Sequence, residues 1–424
     1  MATDRIQHLH AVEVLDSRGN PTLTCHVQLE DGTVGIGTVP SGASTGSHEA
    51  TELRDADPSR YAGKGVLRAV ANVNTVIARE LTGMAAANLR AVDHKLIALD
   101  GTLNKSNLGA NAILAVSLAA ADAGARSRQW QLFQHLRDAY DIKNKDYALP
   151  TPLMNVVNGG KHADSNVDLQ EFWLVPIGAD RFVDRLRTGA EIFHLLGTVL
   201  RERGLSANTG DEGGYAMRLE HNTDPLDLIV EAVGRSPYRL GQDVVLGLDA
   251  ASTEFADPAT KTYRLGLEGQ TFTADQLADY YGQLIERYPV AIIEDAFAED
   301  DWEGWTRFTA SWGSKLTLVG DDLFVTNATR LRDGFAKKAA NAILIKPNQI
   351  GTITETVETV QLAQRHHYGV AISHRSGETN DTAIADLAVA LNADFLKAGA
   401  PNRGERVAKY NRIVEIENQL SAAV

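Results

Sequence analysis

The chain has 424 residues, of which 44% are hydrophobic and 23% charged, an ordinary composition for a folded protein with at least one large core, so a disordered chain is excluded. Its net charge of −14 argues against a nucleic-acid surface and suits a protein that gathers divalent cations. The single cysteine, Cys25, excludes an internal disulfide, and residues 1–7 lack the apolar core of a signal peptide. With no run apolar enough to span a membrane, we expect a cytoplasmic globular protein without nucleic-acid or membrane partners.

The first 40 residues alternate between apolar and polar positions, as an antiparallel hairpin does. One face of the first strand carries Leu23, Cys25, Val27 and Leu29. Asp31-Gly32 is a turn signal, and it predicts a partner strand over residues 33–39. The small residues that follow over 40–46 predict a flexible loop, which lacks the lysine of a P-loop.

Helices follow this loop. Apolar residues at helical spacing predict a helix over 65–81, with Gly83 just beyond its end. A second helical region is predicted over 108–136, and the polar segment 137–147 is predicted to be a linker. Strands first and helices after indicate an α+β domain, which we assign to residues 1–140.

Beyond this domain, short apolar runs alternate with helical stretches. The strand-like runs cover residues 172–175, 244–248, 290–293, 316–319, 342–345, 370–372 and 395–396. Helical stretches between them include residues 181–203, 354–365 and 383–391. Repeated βα units of this kind fit a closed β/α barrel better than a doubly wound sheet, so we predict an α/β fold with a barrel over residues 148–424.

A charged residue follows almost every strand-like run. The series is Asp249, Glu294, Asp321, Lys346, His374 and Lys397. Most of these positions are one βα unit apart, and successive parallel strands end at the same rim of a barrel. A helix cap is an equal alternative for Glu294 alone, but it is a poor explanation for six residues in series.

The residue types suggest a chemistry. Three carboxylates on successive strands form an oxygen site suited to Mg²⁺, and the lack of clustered cysteine or histidine argues against zinc. A metal beside Lys346 disfavours its charged form, which suits a general base. The run from His374 through Arg375 to Ser376 offers a guanidinium and a hydroxyl for phosphate. A metal, a lysine and an acid together suit proton abstraction beside a carboxylate, because the metal stabilises the enolate.

Two more acids lie in glycine-rich surroundings, where tight turns bring the backbone close to a ligand. Glu171 follows Gln170 after the pair Gly159-Gly160, and Glu212 precedes the pair Gly213-Gly214. As turns alone, these two segments are equally compatible with a purely structural role.

The chain resembles the enolase family over nearly its whole length. The matching motifs span residues 15–22, 40–46, 108–114, 158–160, 170–172, 210–214, 321–323, 346–351 and 373–379. The resemblance implies a small α+β domain followed by an eight-stranded barrel whose first turns depart from regular βα order. It also implies a lyase of glycolysis that dehydrates 2-phosphoglycerate to phosphoenolpyruvate with two Mg²⁺ ions, the second completed by the substrate.

The resemblance further implies roles for particular residues. Asp249, Glu294 and Asp321 would hold the first Mg²⁺, and Ser44 on the mobile loop would join the second. Lys346 would be the base, and Glu212, supported by Glu171, would protonate the leaving hydroxyl. Substrate binding would fall to His162, Gln170, His374, Arg375, Ser376 and Lys397.

Five positions depart from the family pattern. Ala296 and Met217 stand where the family has proline, and both neighbour predicted catalytic segments. Val12 replaces a usual arginine, while Thr24 and Glu415 occupy positions where the family commonly pairs a glutamate with an arginine across a dimer. We still expect a homodimer or octamer, with a changed interface.

These departures leave two alternatives open. One is a paralogue that handles a related phospho- or phosphonate acid, and the other is a catalytically silent, enolase-like binding protein. The intact Lys346, Glu212 and three metal acids argue against a silent protein.

Overall fold

The computed structural model describes residues 4–43, 46–143 and 146–422. In those ranges every helix is too short or too polar to cross a bilayer.

The N-terminal part contains a three-stranded antiparallel sheet in the order β1-β2-β3. Its strands are β1 (Ile6–Leu15), β2 (Pro21–Leu29) and β3 (Val34–Thr38). The predicted hairpin is confirmed, because β2 pairs with β3 and the four apolar side chains on one face of β2 are fully buried. The helices that follow are α1 (Leu67–Asn72), α2 (Ala78–Leu81), α3 (Leu89–Asp100), α4 (Ala110–Ser127) and α5 (Leu132–Ala139).

Small residues let helix α4 lie directly on this sheet. A Cβ atom on Gly35 would come within 2.2 Å of the Ala123 backbone nitrogen, and one on Gly37 within 2.6 Å of the Ala115 carbonyl oxygen. The alanine-rich side of α4 therefore packs against β3 at backbone contact, and a larger residue at either glycine would push the two elements apart.

Two helix predictions need correction. The helix predicted over 65–81 is present as α1 and α2, but one π-helical turn, Val73–Ile77, joins them. The region predicted over 108–136 is two helices, because Gln129 adopts a φ of +57° between α4 and α5. Helix α5 also extends into the predicted linker, where the buried Arg137 donates to the Ala390 carbonyl of the barrel part at 3.1 Å.

The second part of the chain is a closed barrel of eight strands, as predicted, in the order β10-β11-β12-β13-β14-β4-β5-β6. These strands are β4 (Thr151–Asn158), β5 (Glu171–Pro176), β6 (Val244–Asp249), β10 (Val290–Glu294), β11 (Thr317–Gly320), β12 (Ala342–Ile345), β13 (Gly369–Ser373) and β14 (Phe395–Lys397). A small separate sheet comprises β7 (Ala256–Asp257), β8 (Thr262–Leu265) and β9 (Gln270–Phe272). The helices are α6 (Phe182–Glu202), α7 (Asp224–Gly234), α8 (Ala274–Arg287), α9 (Trp302–Trp312), α10 (Ala328–Lys337), α11 (Pro347–Ile350), α12 (Ile353–Arg365), α13 (Ala383–Ala390) and α14 (Gly404–Ala422).

Strand β5 is the irregular member of the barrel. It runs antiparallel to both β4 and β6, whereas the other neighbouring strands are parallel. Glu171, the first residue of β5, is therefore in register with Asp249 and Asn158, the last residues of β6 and β4. Because β5 is reversed, its first residue, Glu171, lies at the rim of the barrel where the neighbouring strands end.

The N-terminal part covers this rim. Ser41 and Gly377 exchange two backbone hydrogen bonds of 2.7 and 2.8 Å, and the Ala50 N–H donates to the Gln349 carbonyl at 2.8 Å. The segments around the predicted loop are thus paired with segments that follow β12 and β13.

Candidate active site

The three predicted metal acids lie on neighbouring strands of the barrel. Asp249 and Glu294 end β6 and β10 and are in register with each other, and Asp321 directly follows β11. Lys397 ends β14, four positions from β10 in the ring of eight. Its Nζ atom reaches across to both carboxylate oxygens of Glu294 at 2.8 Å and to Asp249 at 3.1 Å.

Burial governs the electrostatics of this cluster. Burial and the nearby Asp249 raise the pKa of Glu294 well above its usual value, and Lys397 only partly opposes them. For Lys397, burial favours the neutral amine, but the surrounding carboxylates outweigh it and raise its pKa well above normal. So many buried carboxylates require positive charge in their midst, and in this structure an ammonium group provides it.

Lys346 makes a second such pair. It follows β12 and contacts one oxygen of Asp321, whose other oxygen accepts a hydrogen bond from Gln349 at 2.9 Å. Burial lowers the pKa of Lys346, but Asp321 outweighs it, so the pKa lies above its usual value. A neutral Lys346 was predicted for the metal-loaded protein and stays a prediction.

The acid side of the site is built around His162. Its Nδ1 atom lies 3.3 Å from Glu171 and 3.5 Å from Glu212. Glu212 also accepts a 3.0 Å hydrogen bond from Asn155 and faces His374 Nε2 at 3.3 Å. Burial works to raise the pKa of Glu212, but His374 and His162 outweigh it and hold the pKa well below normal.

The pKa values of the two histidines shift in opposite directions. Burial favours neutral His162, but Glu212 and Glu171 raise its pKa above the usual value. Burial lowers the pKa of His374, and Arg406 adds to this by lying 2.6 Å from its Nδ1 atom. His162, which lies between the two acids, is therefore more readily protonated than His374.

The predicted phosphate residues face the N-terminal part. Arg375 forms an ion pair with Glu49 at 2.9 and 3.1 Å, and the Ser376 hydroxyl accepts from the Ala43 N–H at 2.6 Å. Arg18 donates to the Ser41 carbonyl at 3.2 Å and lies 3.5 Å from the Ser376 hydroxyl. The predicted metal ligand Ser44 lies outside the described residues.

These groups surround one small cavity with a volume of about 10 Å³. It is lined by His162, Gln170, Glu171, Glu212, Asp249, Lys346, Ser373, His374, Arg375, Ser376 and Lys397. Glu294 and Asp321 are buried against the two lysines beside it. The structure thus brings together the predicted site residues that it describes.

Several contacting residues were not predicted. Arg18 and Gln349 lie within motifs quoted for the resemblance, and Glu49 follows the predicted loop by three residues, so position in a motif was an available signal. Asn155 precedes the motif at 158–160 by three residues. Arg406 lies on helix α14, and no sequence pattern distinguishes it from an ordinary helix residue.

The donor chemistry at the rim suits a divalent cation. However, the predicted ligands Asp249, Glu294 and Asp321 do not together form one of the groups whose donor atoms all lie within 4.8 Å of one another. Among the described residues, the groups of three donors within 4.8 Å of one another are Asp295/Asp321/Asp322, His162/Glu171/Glu212 and His48/Glu299/Asp300. Lys397 and Lys346 contact the carboxylates of the predicted triad. Buried carboxylates that already gather cationic groups have the oxygen chemistry that Mg²⁺ prefers.

The turn after Glu294 is well supported despite Ala296. The Ser252 hydroxyl donates to the Ala296 carbonyl at 2.9 Å, and Phe297 packs edge-on against Trp305. Asp295, with a φ of +45°, accepts the backbone N–H groups of Asp321 and Asp322 at 2.9 Å each. Packing and hydrogen bonds hold this turn where the family has proline.

A small α+β domain followed by an eight-stranded barrel with one reversed strand, whose rim gathers buried acids and lysines, defines the class of α/β-barrel proteins with an added N-terminal domain. Residues 6–136 match the family described as "Enolase, N-terminal domain" and residues 146–424 the one described as "Enolase, C-terminal TIM barrel domain". The chain belongs to the enolase family.

Proposed function

We propose that this protein is a Mg²⁺-dependent hydro-lyase that dehydrates 2-phosphoglycerate to phosphoenolpyruvate in the cytoplasm. The observation that carries the proposal is one cavity lined by Lys346 on one side and by Glu171 and Glu212 on the other. Strands β12 and β5 are four positions apart in the barrel, so the lysine and Glu171 face each other. A base and an acid on opposite sides of a substrate suit elimination of a proton and a hydroxyl group.

Lys346 is the proposed base for the proton next to the substrate carboxylate. The ion pair with Asp321 favours the charged ammonium form of Lys346. Lys346 can therefore accept a proton only when Asp321 binds another cation instead. Bound Mg²⁺ supplies stabilisation of the enolate charge, with Asp249, Glu294 and Asp321 as its proposed ligands.

The acid side must hold a proton for the leaving hydroxyl. Two histidines lower the pKa of Glu212, and His162 lies within 3.5 Å of both Glu212 and Glu171. A proton shared among these three groups belongs to the cluster rather than to one residue. We assign delivery to Glu212, with Glu171 and His162 as its support.

Substrate orientation falls to the remaining lining residues. Arg375 and Ser376 offer a guanidinium and a hydroxyl for the phosphate. In this structure the carboxylate of Glu49 neutralises the Arg375 guanidinium. Gln170 and His374 complete the wall of the cavity, and together these contacts fix the substrate between base and acid.

The test is an assay of the purified protein with 2-phosphoglycerate and Mg²⁺, followed by the ultraviolet absorbance of the enol product. Full turnover, lost in chelator and restored by Mg²⁺, supports the proposal. A trace rate together with faster turnover of a related phosphonate acid would favour the paralogue. Metal and substrate binding without turnover of either compound would favour a silent binding protein.

We also propose that the protein forms a homodimer or a larger ring. A wide groove beside the N-terminal sheet is lined by Thr24 and Glu415, the two positions that depart from the family's dimer pair. Leu15, Ile36 and Trp130 line the same groove with between 42% and 55% of their surface exposed. Apolar side chains gathered in one exposed groove are typical of a surface that another subunit covers.

A further inference from the structure

Trp173 lies directly beneath the acid side of the site. It follows Glu171 by two residues on β5, so both side chains point to the same face of the strand, and its side chain is fully buried inside the barrel. Gly247 on the neighbouring strand makes the space, because a Cβ atom there would come within 2.6 Å of the Trp173 ring. The indole is thus fixed against the backbone of β6.

The indole makes two polar contacts with site residues. Its N–H donates to Glu171 Oε2 at 2.7 Å, a hydrogen bond to a buried carboxylate. The Lys397 ammonium lies 4.8 Å from the ring centroid, within the range of a cation–π interaction, and 3.2 Å from the other Glu171 oxygen. Both oxygens of Glu171 are therefore fixed, one by Trp173 and one by the cationic side of the site.

A second buried tryptophan, Trp305, shows that a tryptophan can fill space in the core without a hydrogen bond from its indole nitrogen to any described residue. Trp305 is also fully buried and packs against Phe297, but its indole nitrogen has no hydrogen-bond partner among the described residues. The barrel interior around Trp173 is otherwise apolar, with residues such as Leu153 and Val319. Apolar filling explains Trp305, but it does not explain the bond from Trp173 to Glu171.

We propose that Trp173 is a positioning residue, which holds Glu171 in place for proton delivery to the leaving hydroxyl. This rests on the proposed function. Without the indole N–H, Glu171 is held through one oxygen only, so its carboxylate can rotate and Glu212 loses part of the support of that cluster. Proton removal by Lys346, on the other side of the cavity, does not involve this contact.

The test measures proton removal and dehydration separately in the variant Trp173→Phe. One measurement is exchange of the proton next to the substrate carboxylate with solvent deuterium, and the other is formation of phosphoenolpyruvate, both with 2-phosphoglycerate and Mg²⁺. We expect exchange within about twofold of the wild type and dehydration lowered by roughly tenfold or more, the effect of losing a hydrogen bond to a charged group. The ratio of the two rates is the readout that general damage to the fold would leave unchanged.

Trp305→Phe is the matched control, since it makes the same change at a buried tryptophan away from the cavity. Its ratio of exchange to dehydration should equal that of the wild type. Equal losses of both rates in Trp173→Phe, or no loss of dehydration, would overturn the proposal.

A double-mutant cycle tests whether Trp173 acts through Glu171. If it does, Trp173→Phe should cause no further loss of dehydration in a Glu171→Gln background. Independent, multiplying losses would contradict the proposed positioning role.

A spectroscopic test does not depend on the folding of any tryptophan variant or on turnover. The chain has five tryptophans, so ¹⁵N-indole labelling yields five N–H signals. Glu171→Gln should move one of them upfield and leave the others in place, and five unmoved signals would refute the contact. If the wild type neither exchanges nor dehydrates 2-phosphoglycerate, the proposed function fails, while this measurement still decides the Trp173–Glu171 contact.

Discussion

At the rim of the barrel, buried lysines neutralise the charges of buried carboxylates. Lys397 contacts Glu294 and Asp249, and Lys346 contacts Asp321, so each ammonium group neutralises a predicted metal ligand. Removing one member of a buried ion pair leaves an uncompensated charge, which is costly. The lysines therefore stabilise the fold as well as serving the proposed chemistry.

Lys397→Ala should lower the free energy of unfolding in chelator by about 3–5 kcal/mol, because it strands Glu294 and Asp249 without a cation. Mg²⁺ should restore more stability in this variant than in the wild type. Thermal melts with chelator and with Mg²⁺ measure both effects. The exposed Lys143→Ala is the control, and an unchanged melting temperature for Lys397→Ala would contradict the charge balance.

His135 gives the protein a pH dependence away from the site. Within the described residues neither of its ring nitrogens has a partner, and burial lowers its pKa to about 4. The folded state favours the neutral ring, so this contribution is complete above pH 6.5 and is lost as the pH falls toward 4. Between pH 7 and pH 4.5 the wild type should lose about 2–3 kcal/mol more than His135→Leu in denaturant titrations, and equal losses would contradict this assignment.

At the scale of elements, the direction of β5 is the feature that builds the site. The apolar run at 172–175 predicted a strand, but an apolar run contains no information on direction. The usable signal was the spacing, because residues 159–170 contain no helix long enough for a parallel crossover. Glu171 and its hydrogen-bond partner Trp173 depend on that reversal.

The interruption of helices was harder to predict. Apolar periodicity continues from α4 into α5, whereas the break depends on Gln129 in a left-handed conformation, which few sequence rules would assign to glutamine. Strand ends were predicted well, because Asp249, Glu294, Lys346 and Lys397 follow buried runs whose apolar character is unmistakable. Contacts between distant segments, such as Glu49 with Arg375, depend on how the two parts of the chain pack.

The turn between β10 and α9 should depend on Asp295. Asp295→Ala removes the acceptor of two backbone N–H groups and places at a φ of +45° a residue that tolerates the left-handed conformation less well than aspartate, so it should destabilise the protein by about 2–3 kcal/mol. The affinity for Mg²⁺ should fall roughly tenfold, because Asp321 is on the segment that these bonds hold. Denaturant unfolding and calorimetric titration with Mg²⁺ check the two effects.

Asp295→Asn is the matched comparison, since it keeps one oxygen acceptor and tolerates the left-handed conformation. It should lose clearly less stability than Asp295→Ala. Equal stability of both variants and the wild type would show that the turn does not depend on the Asp295 side chain.

The whole molecule depends on the packing of its N-terminal part against the barrel mouth. Ion pairs such as Lys105 with Glu355, at 2.5 Å, and buried bonds such as that of Asp93 with the Thr354 N–H, at 2.8 Å, join the two parts. The proposed division at residues 1–140 and 148–424 separates two units that meet beside the candidate site, where Glu49 pairs with Arg375. Neither unit alone contains both Arg375 and its partner Glu49.

Association of subunits is tested at the groove beside the N-terminal sheet. Leu15→Glu adds a charge where we propose that a second subunit binds, so it should shift the sedimentation of the protein from a dimer or larger ring toward the monomer. Leu103→Glu makes the same change at a fully exposed leucine that does not line the groove. Loss of association in both variants, or in neither, would argue against this surface.

The most direct measurement is exchange of the proton next to the carboxylate of 2-phosphoglycerate with solvent deuterium, compared between the wild type and Lys346→Ala. We expect Mg²⁺-dependent exchange in the wild type and none above background in Lys346→Ala. Binding of Mg²⁺, measured by calorimetry, should persist in the variant, because Lys346 is not a proposed ligand. Exchange retained in Lys346→Ala would contradict the assignment of this lysine as the base.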